Sequence, residues 1–172
     1  MRSVFLVGFM GAGKSSIGAA VAARLGSCFI DLDQEISGRL GAPIVELFAD
    51  HGEAAFRVAE HEELARVAGL DNVVVATGGG TFCDPTNRDL IHRSGAVSVY
   101  LDLPWQALLE RLDADNSERP MYDDADQARR LFEERLPEYL RAMVRVPLDG
   151  DERPPEVAER VIAALQEVPC AT

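Results

Sequence analysis

The order of elements predicts an α/β fold: a five-stranded parallel sheet with helices on both faces, in three layers. Three observations carry this expectation. Short, largely apolar runs, as at Val4–Val7, Val73–Ala76 and Ala96–Leu101, read as strands, the first of them continuous as expected of a strand buried on both faces. Segments with apolar residues at helical spacing separate them. The first run leads into Gly8-Phe9-Met10-Gly11-Ala12-Gly13-Lys14-Ser15, which matches the phosphate-binding pattern G-x-x-x-x-G-K-[ST] and lies between a strand and a helix, as that pattern requires.

After the loop, Ile17, Ala20, Val21 and Leu25 recur at helical spacing. Ser27 to Asp33 (SCFIDLD) reads as a second strand ending in two aspartates. Gln34 to Leu40 begins a helix that Gly41 stops, and Pro43 suits the first turn of the next, whose apolar face is Ile44, Leu47 and Phe48. Gly52 breaks the pattern. Glu53 to Val67 is helical again, with Phe56, Ala59 and Leu64 among the inward candidates. The third strand, Val73–Ala76, runs into Thr77-Gly78-Gly79-Gly80. Asn87 to His92 reads as a helix, Ala96–Leu101 as the fourth strand, and Pro104 opens a helix carrying Trp105, Leu108, Leu109 and Leu112. Asp113 to Asp126 is polar and acidic around Arg119-Pro120-Met121-Tyr122, the composition of a long loop, and such loops in compact domains often act as lids. Gln127 to Met143 returns to helix, with Pro137 expected to bend or divide it. Val144–Leu148 is a short fifth strand. Pro154 or Pro155 starts the last helix, and 168–172 should fray.

With 47% hydrophobic and 27% charged residues, the 172-residue chain has the composition of one globular domain. A net charge of −12 argues against nucleic-acid binding, which takes a basic face. It also means that an anionic substrate has to be held by a local group of arginines. Cys28, Cys83 and Cys170 are odd in number and scattered, without metal-site or disulfide spacing, so a reducing, cytoplasmic setting is expected. The first apolar run ends in the phosphate loop rather than in a signal-peptide pattern, and no run approaches the ~20 residues of a membrane span.

Ligands of open parallel sheets bind beyond the carboxyl ends of the strands. Three of those ends are the phosphate loop, the Asp31/Asp33 pair and Gly78-Gly79-Gly80, which therefore should meet at one crevice. Backbone N–H groups from Gly11, Ala12 and Gly13 through Ser16 are expected to cradle a polyphosphate, with Lys14 reaching the terminal phosphates and the Ser15 hydroxyl on Mg²⁺. Asp31 and Asp33, two apart, would face the same way in an extended segment. One would support Mg²⁺ and the other accept the proton of an attacking hydroxyl; the competing role is a helix N-cap before Gln34. Triple glycine is conformationally expensive, and its use is close backbone approach with N–H groups offered to a ligand. Arg57 has the fork that grips a carboxylate, with Glu60 three residues on to hold it, or else is a surface ion pair. Composition does not separate Arg135 from Arg129, Arg130, Arg141 and Arg145. Arg119 would swing onto the transferring phosphoryl group or remain a solvated loop charge. His51, His61 and His92 form no metal-spaced set.

In addition to these readings, the chain resembles the shikimate kinases. The matching pieces are GFMGAGKSSIG (Gly8 to Gly18), DLD (Asp31 to Asp33), ELFADHGEAAFRVAE (Glu46 to Glu60), ATGGG (Ala76 to Gly80), Arg119-Pro120 and RLPEY (Arg135 to Tyr139), in that order and across nearly the whole chain. The resemblance implies a sheet of the nucleoside-monophosphate-kinase type, a shikimate-binding region at 33–61 and a lid at 113–124. It implies transfer of the γ-phosphoryl group of ATP to the 3-hydroxyl of shikimate, with Mg²⁺ as cofactor, by a cytoplasmic monomer. Carried over by position, Asp33 holds the reacting hydroxyl, and Arg57 and Arg135 grip the carboxylate. The backbone at Gly79 and Gly80 touches shikimate, and Phe48, Phe56 and Pro120 wall its ring. Lys14 and Arg119 stabilise the phosphates, Ser15 and, through water, Asp31 serve Mg²⁺, and Arg111 and Arg153 flank the adenine. The lid reads Arg-Pro-Met-Tyr where the family more often has Arg-Pro-Leu-Leu. The alternatives are a related kinase of gluconate or an amino analogue of shikimate, and a non-catalytic P-loop nucleotide-binding module; for a guanine-nucleotide switch the N-K-x-D motif is missing.

Overall fold

The computed structural model describes residues 2–114 and 125–169. Its strands β1 (Val4–Val7), β2 (Cys28–Asp31), β3 (Val73–Ala76), β4 (Val97–Asp102) and β5 (Val144–Pro147) form one parallel sheet in the order β2-β3-β1-β4-β5. The helices are α1 (Lys14–Leu25), α2 (Leu32–Leu40), α3 (Ile44–Ala68), α4 (Pro85–Arg93), α5 (Trp105–Ala114), α6 (Ala125–Tyr139) and α7 (Pro154–Gln166). The three inner strands are buried almost throughout, which is why β1 and β3 read as unbroken apolar runs and β4 as one interrupted only by Ser98 before its Asp102 end. At one edge β5 alternates buried and exposed residues, and at the other β2 is only partly buried.

Register places the site. Leu6 pairs with Ala76, and Ala76 with Asp31. The phosphate loop, the glycine run and the Asp31 turn therefore leave the sheet at one level, on its carboxyl side. Phe9, 1% exposed, pins the phosphate loop to the helical layer. Its ring meets Trp105 of α5 at 6.4 Å and Phe132 of α6 at 5.5 Å, both edge-on.

The second strand stops at Asp31, two residues short of the expected end. Asp31 instead caps α2, accepting from the amides of Asp33 (3.1 Å) and Gln34 (3.3 Å). Asp33 thus stands in the first helical turn and does not share a strand face with Asp31. Burial of Leu32, 0% exposed, is consistent with the helix starting there. Gly52 breaks α3 as expected, with φ 76° and ψ 168° inside the helix. The helix after β3 starts at Pro85, earlier than expected, because Asp84 caps it through the amides of Thr86 (2.7 Å) and Asn87 (3.4 Å). A 3-10 turn, Thr81–Cys83, follows the glycine run and was not anticipated. Helix α6 contains Pro137 but ends at Tyr139, short of the expected Met143.

Candidate active site

A cleft of about 530 Å³ opens along the carboxyl edge of the sheet. At one end is the phosphate loop. Gly11 (φ 80°) and Gly13 (φ 86°) hold left-handed backbone that an L side chain strains to adopt. Gly11, Gly13, Lys14, Ser15 and Ser16 line the cleft, while Ala12 is buried beneath it. The Lys14 ammonium donates to the carbonyls of Gly8 (2.9 Å) and Phe9 (2.8 Å), which holds it across the head of the loop. The Ser15 hydroxyl donates to Asp31 at 2.5 Å, joining the two predicted metal residues directly. Arg111, from α5, bridges the carbonyls of Gly11 (3.4 Å) and Gly150 (2.7 Å) at the side of the cleft.

The other end is assembled from α2, α3, α6 and the glycine run. At Gly78 and Gly80 side chains have come too close for a Cβ, while at Gly79 the neighbours stand at ordinary contact distance. A methyl at Gly78 would stand 2.9 Å from Glu60 Oε1 and 3.0 Å from Asp33 Oδ1. One at Gly79 would stand 3.4 Å from the Met10 amide and 3.6 Å from Arg135 Nη1. At Gly80 it would meet both Arg57 Nη1 and Nη2 at 2.7 Å. The run therefore packs a carboxylate pair and two guanidiniums against bare backbone. Its carbonyls are all taken: Gly78 by the Thr81 amide (3.3 Å), Gly79 by the Tyr139 hydroxyl (2.5 Å) and Gly80 by the Cys83 amide (3.0 Å). Among the described residues, the Gly78, Gly79 and Gly80 amides donate to no protein acceptor. The run lines the cleft with these three amides unpaired among the described residues.

Glu60 organises this end. It is 1% exposed, binds Arg57 Nη1 at 2.9 Å and accepts the Thr81 hydroxyl at 2.6 Å. Glu53 holds the other side of the Arg57 guanidinium at 2.9 Å, and the Phe56 ring lies 5.6 Å beneath it. Burial works against the Arg57 charge, but Glu60 and Glu53 outweigh it and lift the guanidinium pKa above its ordinary value. Arg135 is 9% exposed and converges from α6. Phe48 and Phe56 pack at 4.6 Å to form an apolar wall. Between the two ends stands Asp33. Burial pushes its carboxyl from an ordinary 3.8 up to about 6; Lys14 opposes the rise, while Asp31 and Glu60 add to it. Such a carboxylate is ionised at neutral pH yet more basic than an exposed aspartate.

The cleft therefore brings together Lys14, Ser15, Asp31, Asp33, Phe48, Phe56, Arg57, Gly79, Gly80, Arg111 and Arg135. Arg153 does not line it: its side chain is 78% exposed and paired with Glu156 at 2.6 Å. Arg119 and Pro120 lie outside the described residues. Two contributors were not singled out from sequence as site residues. Glu60 was foreseen only as a holder of Arg57, and Tyr139 only as part of RLPEY; its signal is the four-residue step from Arg135, which puts both on one helix face.

The shikimate kinase family model matches residues 10–166. A shikimate kinase of Synechococcus sp. (strain JA-3-3Ab) is 39% identical over 166 residues, spanning 95% of this chain and 87% of that one. The chain belongs to the shikimate kinase family. The solved shikimate kinase from Acinetobacter baumannii in complex with shikimate superposes with a TM-score of 0.91 at 30% identity, covering 96% of this chain and 93% of that one. A gluconokinase from Sinorhizobium meliloti 1021 shares the fold, with a TM-score of 0.62 at 22% identity over 96% of this chain and 91% of that one.

Proposed function

We propose that this protein transfers the γ-phosphoryl group of ATP to the 3-hydroxyl of shikimate. The observation that carries the reading is the placement of Arg57 and Arg135 over the adjacent glycines Gly80 and Gly79, with Asp33 between them and the phosphate loop. A cyclic hydroxy acid fits this layout. Its carboxylate meets two guanidiniums and a row of N–H donors, its ring lies along Phe48 and Phe56, and a hydroxyl is left facing Asp33. Asp33 orients that hydroxyl and takes its proton as the oxygen attacks, and its raised pKa suits it to this task. Lys14, now folded onto the loop carbonyls, turns to the transferring group, where charge develops.

The donor set at the phosphate end fits Mg²⁺. Ser15 offers a neutral oxygen and Asp31 a carboxylate already in hydrogen-bond contact with it, and Mg²⁺ in phosphoryl-transfer sites takes few protein ligands and keeps several waters. Ser15 would hold the ion directly and Asp31 through water, and the ion would neutralise phosphate charge. Asp31 also caps α2, so the same carboxylate ties the metal end to the helix carrying Asp33. Arg111, held at the side of the cleft by the Gly11 and Gly150 carbonyls, would flank the adenine, and Arg153 would have to leave Glu156 to join it. We also assign residues 33–61 to shikimate binding and 113–124, with Arg119 and Pro120, to a lid over the nucleotide, within a single kinase domain. We assign the protein to the cytoplasm, for which the scattered cysteines fit a reducing setting, and to a monomeric state.

The test is ADP release from ATP and Mg²⁺ with and without acceptor. Shikimate should stimulate it strongly, and quinate, gluconate and aminoshikimate far less. Release that no acceptor stimulates would point to a nucleotide-binding module, and a stronger response to gluconate would move the reading to a different hydroxy acid.

A further inference from the structure

The glycine run is a set of ligand donors made from the most flexible residue type, and a donor on a free-swinging peptide is a poor one. Something must fix its peptide planes. The carbonyls of Gly78 and Gly80 are held from within the run's own turn, by the amides of Thr81 and Cys83. The Gly79 carbonyl takes its short bond from outside the turn, from the Tyr139 hydroxyl at 2.5 Å, with the Cys83 thiol of the turn itself only a weak donor at 4.0 Å.

Tyr139 is fully buried at the end of α6, one helical turn beyond Arg135, and its ring stacks on Tyr100 with centroids 5.4 Å apart. The same helix end grips the far side of the turn. Arg88 donates to the carbonyls of Phe82 and Cys83, both at 3.0 Å, and pairs with Glu138 at 2.7 Å. Helix α6 thus braces the segment from Gly79 to Cys83 through two consecutive residues.

The Gly79 carbonyl and the Gly80 amide share one trans peptide plane and point in opposite directions. A hydroxyl that draws the carbonyl toward the buried side aims the N–H at the cleft. That peptide also lies between the two arginines, since a Cβ at Gly80 would touch Arg57 and one at Gly79 would approach Arg135.

We propose that Tyr139 is a positioning residue for acceptor binding: its hydroxyl locks the Gly79–Gly80 peptide so that the Gly80 amide donates to the same anionic group that Arg57 and Arg135 hold. This rests on the reading of shikimate as acceptor. A single helix face then delivers both the Arg135 guanidinium and the orientation of a backbone donor.

The experiment measures shikimate and ATP affinities by calorimetry, with the Gly80 amide followed by ¹H–¹⁵N NMR. Tyr139→Phe removes only the hydroxyl and keeps the ring stack. We expect the shikimate Kd to rise about five- to tenfold, the size of one lost hydrogen bond that leaves its partner misaligned. The ATP Kd should stay within about twofold. In the wild type the Gly80 amide resonance should shift on shikimate addition, and in Tyr139→Phe that shift should shrink. Replacing Tyr139 with p-aminophenylalanine, which still donates an N–H, should restore much of the affinity; a structural role filled by the ring alone would show no such rescue. Should Tyr139→Phe fail to fold, the wild-type spectrum decides: a Gly80 resonance that shikimate leaves unmoved overturns the proposal. Equal shikimate affinity and equal Gly80 shifts in wild type and Tyr139→Phe overturn it as well. A wild type that binds ATP but no shikimate would instead remove the acceptor assignment and this inference with it.

Discussion

The two ends of the cleft are built by different means. The phosphate end is nearly local: one strand, one turn and one helix N-terminus supply Gly11, Gly13, Lys14 and Ser15 within a few residues of each other. The acceptor end draws Asp33 from α2, Arg57 and Glu60 from α3, Arg135 from α6 and bare backbone from the turn after β3. At the first end glycine provides left-handed backbone. At the second it provides room, for Gly80 itself sits at an ordinary φ of −98°. A local site binds whatever carries phosphate; an assembled one specifies the acceptor. Changes at the two ends should therefore separate in their effects on ATP and on shikimate.

The largest effect is expected where the ends meet. Asp33→Asn should lower kcat by roughly 10²–10⁴ while ATP affinity barely changes. Near-normal turnover would remove the proton-accepting role. Next come the two arginines. Arg57→Ala and Arg135→Ala should each raise the shikimate Kd by about ten- to a hundredfold, as the loss of a charge-assisted hydrogen bond implies. The double variant should fall short of the product, because both act on one carboxylate. ATP titrations of the same variants check that the phosphate end is untouched.

A pair of glycine substitutions sharpens the contrast. Gly80→Ala places a methyl 2.7 Å from the Arg57 guanidinium, the far end of a flexible side chain that can give way. It should weaken shikimate binding about three- to tenfold with little loss of stability. Gly13→Ala imposes left-handed backbone at φ 86°, costing about 1–2 kcal/mol, and should weaken ATP binding instead. Exchange of the two phenotypes would contradict the division.

The smallest effects concern pH. With Asp33 lifted from 3.8 to about 6, kcat/KM should fall on the acid side with an apparent pKa near 6. For stability the sign runs the other way. Between those values the native state binds the extra proton, so Asp33 lowers stability progressively as pH rises through that window. Partial solvent access reduces the magnitude to about 1 kcal/mol. Asp33→Asn should thus raise Tm by a few degrees at pH 7, and by nothing below about pH 4. A variant melting lower than wild type at pH 7 would show that Asp33 stabilises the free protein.

This division also explains what the sequence disclosed. The phosphate loop could be read outright because its chemistry is contiguous. Gly78-Gly79-Gly80 announced close approach through its conformational expense, but not which side chains approach, since those arrive from other elements. Spacing of two made Asp31 and Asp33 look like one strand face. The cap at Asp31 starts α2 at Leu32, and a short strand turning into a helix leaves period and cap competing over the same residues. Glu60, a carboxylate in an acidic helix, gave no sign that it would be 1% exposed, because its burial depends on Thr81 and on the bare Cα of Gly78. For Tyr139 the four-residue step from Arg135 marks the helix face but not the partner, a backbone carbonyl from the turn after β3 that no side-chain pattern marks.

Whether the acceptor end recognises a carboxylate with Arg57 and Arg135 is tested most directly by calorimetric titration of the wild-type protein with shikimate and with its methyl ester. The acid should bind at least about tenfold tighter than the ester, and that preference should largely vanish in Arg57→Ala/Arg135→Ala. Equal affinity of acid and ester for the wild type would contradict the account and leave the two arginines as structural ion pairs.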